Sequence, residues 1–241
     1  MMTLTLTTAA LVAAVISGMI GMAGGILLLT VMILAGLPVP VAIPLHAVVQ
    51  LTSNTTRVAA YRGTVRWRSA ALFILISLPM PWLGLQILGH LDPIVTKGII
   101  GVVVLAATWA PKGGLDVLPE RFAMGIAGAL AGTLGVVIGA VGPLVAPFFL
   151  RNTWKKEEVV GTKAACQSVI HLVKILVFSG IGFAFGAHWG LLIPLLVAVI
   201  IGTWVGKALN ARLSPKRFVL IYRVVLSALA LRLIYGGFLS H

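Results

Sequence analysis

Four side chains, His46, Gln50, Asn54 and Arg57, follow one another at steps of four, four and three residues in "LHAVVQLTSNTTR" (45–57). On a helix those steps stack all four on one face. A second set, Lys163, Gln167, His171 and Lys174 in "KAACQSVIHLVK", repeats the spacing. Each set offers cations and neutral hydrogen-bonding groups but no carboxylate. Such groups suit the holding of an anion, with Lys and Arg supplying charge and amide and imidazole N–H groups supplying directed donors.

The helices that must position these ladders are apolar. The 241 residues are 60% hydrophobic and 10% charged, with mean hydropathy +1.11. A soluble domain carries about 25% charged residues, so the chain reads as an integral membrane protein. Its net charge of +13 fits basic helix ends at a cytoplasmic face rather than nucleic-acid binding. One cysteine, Cys166, excludes an internal disulfide and a CxxC metal knuckle; it reads as an inert core thiol. No metal or cofactor is expected. The start, "MMTLTLTTAALVAAV", has no basic region before its apolar run and reads as a first membrane segment rather than a cleaved signal.

Apolar runs recur at about 4–22, 25–37, 41–61, 69–89, 94–110, 122–141, 143–150, 157–179, 188–208 and 218–238. Most approach the roughly 20 residues of a spanning helix. The runs at 25–36 and 143–150 are too short and follow the glycine clusters "GMIGMAGG" and "GVVIGAVGP". They are expected to be broken or re-entrant elements, tolerated where they line a cavity. The expectation is an all-α polytopic protein with about eight transmembrane helices plus these Gly-rich segments.

The basic residues assign sides. Arg62, Arg66 and Arg68 share a loop, as do Lys112 and Arg121, Arg151 with Lys155 and Lys156, and Lys207 with Arg212, Lys216 and Arg217. Loops near 36–40, 90–93 and 180–188 contain no Lys or Arg. The positive-inside rule puts the first four inside and the last three outside, with both termini outside.

A shift of 117 positions superimposes the ladders: His46 on Lys163, Gln50 on Gln167, Asn54 on His171 and Arg57 on Lys174. Gly18 meets Gly135, Gly25 meets Gly142 and Gly63 meets Gly180, with no gap from 18 to 63. Pro38 lies on an outer loop while its partner Lys155 lies on an inner one, so the halves, 1–115 and 116–241, are expected to be inverted-topology repeats. Inverted repeats with broken helices and a midplane site are a secondary-transporter architecture.

Along with the repeat, a glycine cluster, "GLPVPVAIP", a polar-bearing helix ending "YRGTVRWR" and the later "KKEEVVGTKAACQS" resemble the sulfite exporter TauE/SafE family over nearly the whole chain. The resemblance implies a multi-pass inner-membrane transporter of small anions: sulfite, sulfonates such as sulfoacetate, related sulfur compounds or carboxylates. One departure is "PLH" after "PVPVAI", where the family often has small and hydroxyl residues.

The ladders should face each other or a water-filled cavity, because a charge at the bilayer centre costs at least about 2.5–3.5 kcal/mol. Every acidic residue (Asp92, Asp116, Glu120, Glu157, Glu158) lies at an expected loop or helix end, so a mobile anion must balance the ladder cations. Gly24–Gly25 and Gly142–Pro143 would open the short helices and offer their N-termini to that anion; close helix packing is the alternative for each glycine. Gln50 and Gln167, the identical pair, are the foremost substrate contacts, with packing as the alternative. His46 and His171 read as interhelical hydrogen-bonders or as proton carriers. Ser53, Thr52 and Ser168 are weaker candidates. Arg57 either lines the pathway or snorkels; Arg223 and Arg232 snorkel or pack. Trp67, Trp82, Trp109, Trp154 and Trp189 read as interface anchors.

Two other readings compete. An anion channel would share these features and differ in not saturating. An intramembrane enzyme such as a lipid-phosphate phosphatase would need a base, a metal or an activated nucleophile, and the apolar segments supply no carboxylate or metal cluster for one. The partners expected are a small anion and the lipid bilayer, without nucleic acid. A homo-oligomer is compatible with the sequence, which holds no feature that specifies one.

Overall fold

A computed structural model describes residues 2–20, 24–109, 117–209 and 215–239. The sequence expectations for Lys112, Asp116 and Arg212, and for the middle of the first glycine cluster (21–23), lie outside the described residues.

The described chain is helical throughout, without strands. In order the helices are α1 (Met2–Ile20), α2 (Gly24–Leu34), α3 (Val39–Ala60), α4 (Trp67–Ser77), α5 (Met80–Gly89) and α6 (Pro93–Trp109). Then come α7 (Glu120–Ile138), α8 (Gly142–Phe149), α9 (Lys156–Gly180), α10 (Trp189–Leu209) and α11 (Pro215–Ile234). Among the described residues four helices are long and apolar enough to cross a membrane: α1, α7, α9 and the stretch 185–209 that contains α10. The bent pair α4–α5 makes a fifth if counted as one span. Helix α3 has the length, at 22 residues, but its polar ladder lowers its hydropathy. This is an integral, multi-pass membrane protein.

The short elements begin where the glycine clusters end. Helix α2 opens at Gly24 and has 11 residues; α8 opens at Gly142 and has 8. The run 69–89, expected as one helix, is instead broken by 41° between Ser77 and Met80. Pro79 and Pro81 flank the break, and each removes a backbone donor that an unbroken helix would use.

Four helix pairings organise the bundle: α1 on α10, α4 and α5 on α7, α3 on α9, and α6 on α11. Small residues allow the tightest of these. A Cβ on Gly202 would stand 2.6 Å from the Leu11 carbonyl oxygen, and one on Gly128 would stand 2.5 Å from that of Phe73. In lipid such close backbone approach replaces the hydrophobic drive to association. The outward faces stay apolar, with Leu75, Ile193, Ile201 and Leu231 all exposed.

The loops sort into two groups. Glu120 accepts hydrogen bonds from Ser69 Oγ and from Trp154 Nε1, and Arg151 Nη2 donates to the Leu118 carbonyl at 2.8 Å. Arg66 N–H donates to Thr162 Oγ1 at 2.9 Å, and Lys207 Nζ donates to the Ala60 carbonyl. The basic loops therefore share one end. The loops lacking Lys and Arg share the other, where Val39, Pro40, Leu91, Pro93, Ile181 and Phe183 surround one cavity.

Trp67, Trp82, Trp109 and Trp189 are about half exposed, as interface anchors would be. Trp154 is not: it is buried against Phe149, and Arg66 lies over its ring at 5.1 Å. Its indole N–H is committed to Glu120, which ties it to the bundle instead of to the lipid headgroups. Arg223 packs its guanidinium over Trp109 at 5.1 Å.

Candidate functional site

Helices α3 and α9 pack against each other with their polar faces inward. His46, Gln50, Asn54, Arg57, Lys163, His171 and Lys174 are all buried; Gln167 is partly so. The step of four residues that stacks each ladder also brings the two ladders together. The His46 and His171 rings meet at 5.9 Å, edge to face.

A cavity of about 30 Å³ lies between them. His46, Gln50 and Arg57 line it from α3, and Lys163, Gln167, His171 and Lys174 line it from α9. Gly25 and Gly142 complete it at the starts of α2 and α8. Among the described lining residues are two lysines and an arginine and no carboxylate. The described acidic side chains sit where helix ends need them: Asp92 Oδ1 accepts the Ile94 N–H at 2.7 Å, Glu120 opens α7, and Glu157 and Glu158 open α9.

Arg57 and Lys174 are held in place. Arg57 is 1% exposed, so it does not snorkel. Its Nη1 donates to Asn54 Oδ1 at 2.8 Å, and its Nη2 donates to Ser17 Oγ at 2.7 Å and Ser53 Oγ at 3.2 Å. Lys174 Nζ donates to the Gly139 carbonyl at 2.9 Å. Gly139 ends α7 with φ +81°, a left-handed conformation that suits glycine. This turn aims its carbonyl at the lysine. His46 Nε2 donates to the Gly25 carbonyl at 2.8 Å, tying α3 to the start of α2. Asn54 Nδ2 donates to the Gln50 carbonyl at 2.8 Å.

The two glutamines occupy matching places. A Cβ on Gly25 would lie 3.0 Å from Gln50 Oε1 and 3.5 Å from His46 Nε2. A Cβ on Gly142 would lie 3.1 Å from Gln167 Nε2 and 3.7 Å from Lys163 Nζ. Each amide thus lies against the first turn of a short helix, where backbone N–H groups lack intrahelical partners.

Gly24 and Asn54 lie off the cavity, as do the weaker candidates Thr52, Ser53 and Ser168. Gly24 faces α1, where a Cβ would meet the Ala13 carbonyl and stand 2.7 Å from Ser17 Cβ; it serves helix packing. Asn54 does not line the cavity and touches it through its bonds to Arg57 and to the Gln50 backbone carbonyl. Ser17 and Gly139 line the cavity without having been singled out. Ser17 stands opposite Leu134 in the 117-residue shift, so the repeat gave no signal for it. Gly139 lies inside the second glycine cluster, but its role depends on a carbonyl, which sequence does not display. Among the described residues no group of His, Cys, Asp or Glu is placed to hold a metal.

The family model for the sulfite exporter TauE/SafE matches residues 6–233 of the chain. No curated protein and no solved structure was found to match.

Proposed function

The chain belongs to the sulfite exporter TauE/SafE family, and on that basis we propose that it carries a compact sulfur oxyanion, sulfite foremost, out of the cell across the inner membrane. The observation that carries this reading is the cavity itself: Arg57, Lys163 and Lys174 converge on it and no carboxylate lines it among the described residues. In this reading the anion balances the buried cations, Gln50 and Gln167 donate their amide N–H groups to its oxygens, and the first turns of α2 and α8 supply backbone donors.

The halves 1–115 and 116–241 act as two inverted repeats about this site. Three features support that division. Each short helix lies beside the glutamine of its own half. The pairing of α1 with α10 corresponds, under the 117-residue shift, to that of α7 with α4 and α5. The basic and non-basic loops gather at opposite ends. The basic end is the cytoplasmic one. An inside-negative potential then drives the anion outward by about 2.3 kcal/mol per charge per 100 mV, so export requires no coupled ion.

The test is flux from proteoliposomes loaded with sulfite, sulfoacetate, thiosulfate, sulfate or lactate. Saturable movement of sulfite ahead of the others is the expected result. Flux that rises without saturation would make the protein a channel, and the absence of any anion flux would remove the transport reading.

A further inference from the structure

We propose that the vestibule at the end whose loops lack Lys and Arg is the approach to the site in this state, one apolar layer short of it, and that Tyr61, Thr64 and Arg66, clamped onto α9, form the gate that closes the other end. This rests on the transport reading above and adds the residues that would switch access to the site.

A vestibule of about 350 Å³ opens at the non-basic end, lined by Ile43, Leu88, Leu91, Phe178 and Phe183 among others. Ile43 stands between it and the central cavity. A Cβ on Gly139, which lines the central cavity, would lie 3.2 Å from Ile43 Cγ1. One layer of apolar side chains therefore divides vestibule from site.

The 117-residue shift carries four vestibule positions to the basic end: Ile43 to Val160, Phe178 to Tyr61, Ile181 to Thr64 and Phe183 to Arg66. There the same positions are knit together. Tyr61 and Val160 are buried in one cluster with Ala60. Thr64 Oγ1 donates to the Glu157 carbonyl at 2.9 Å, and the Arg66 N–H donates to Thr162 Oγ1 at 2.9 Å. The Arg66 guanidinium lies 3.7 Å from Glu158. Gly161 lies directly against this contact, since a Cβ there would stand 2.9 Å from Thr64 Oγ1.

Equivalent positions thus surround a void at one end and a sealed contact at the other. Two arrangements of one repeated unit, exchanged between the halves, are what alternating access around a fixed site requires. The opposite state follows: Thr64 and Arg66 release α9, and Phe178 closes onto Ile43.

Paired cysteines test this in a Cys166→Ser background, with Thr64→Cys and Gly161→Cys placed to bridge the clamp. Oxidation is expected to stop sulfite flux and reduction to restore it. A Phe178→Cys reporter should still react with a membrane-impermeant maleimide from the vestibule face while the clamp is bridged. A Val160→Cys reporter should lose reactivity from the opposite face. Undiminished flux in the bridged protein, or protection of Phe178→Cys by the bridge, would overturn the proposal. Should the double variant not fold, Arg66→Ala serves: labelling should rise at Val160→Cys and fall at Phe178→Cys. A rise at both, or a change at neither, would overturn it. The labelling needs no substrate, so it decides the gate even if sulfite proves not to be carried.

Discussion

His46 of α3 and His171 of α9 meet edge to face, with ring centroids 5.9 Å apart and planes at 76°. The contact puts the two polar ladders face to face. It follows that each buried cation of one ladder answers to the same cavity as those of the other, and the predictions below depend on that sharing.

The glutamines are the first of these. A hydrogen bond to a charged partner contributes about 1.5–3 kcal/mol. Gln50→Ala and Gln167→Ala are each expected to weaken sulfite affinity by about 10- to 150-fold. Flux measured against sulfite concentration checks this, with the yield of folded protein unchanged.

Gly24 and Gly25 are neighbours with opposite expectations. Gly24→Ala drives a methyl into the Ala13 backbone and is expected to destabilise the fold by about 1–3 kcal/mol. Gly25→Ala meets the Gln50 amide, at 3.0 Å, and is expected to lower transport while the protein remains folded. Thermal unfolding in detergent, run beside flux, separates the two.

Bound anion should stabilise the protein through its buried cations. A ligand at 100 times its Kd contributes about 2.7 kcal/mol to the folded state. Sulfite is expected to raise the Tm of the wild type and to leave that of Lys174→Met nearly unmoved. Without sulfite, Lys174→Met is expected to be at least as stable as the wild type, because a buried charge is replaced by an apolar chain of similar length.

The driving force is checked with a potassium diffusion potential. An anion carried alone responds to voltage, so sulfite efflux is expected to speed up when the interior is made negative. Rates indifferent to the imposed potential would mean that the anion moves with a compensating charge.

Much of this arrangement was legible in the sequence because it is written in spacing. Steps of four, four and three fix a helical face whatever the tertiary context, so the ladders at 46–57 and 163–174 could be placed on α3 and α9. The starts of α2 and α8 were legible because glycines preceded runs too short to span. Three features were not. The break between α4 and α5 depends on Pro79 and Pro81, which a hydropathy reading passes over because the apolar run continues through them. Trp154 was read as an anchor because indole favours interfaces, whereas its N–H is committed to Glu120 across the bundle. The Gly139 carbonyl and the Ser17 hydroxyl that hold Lys174 and Arg57 are long-range contacts, and nothing local marks them.

The measurement that bears most directly on the two-ladder site is sulfite efflux from proteoliposomes, with the wild type beside Gln50→Ala and Gln167→Ala. The account predicts saturable efflux in the wild type and a half-saturating sulfite concentration raised about 10- to 150-fold in both variants, since one glutamine from each half holds the same anion. Normal efflux in both variants would contradict it.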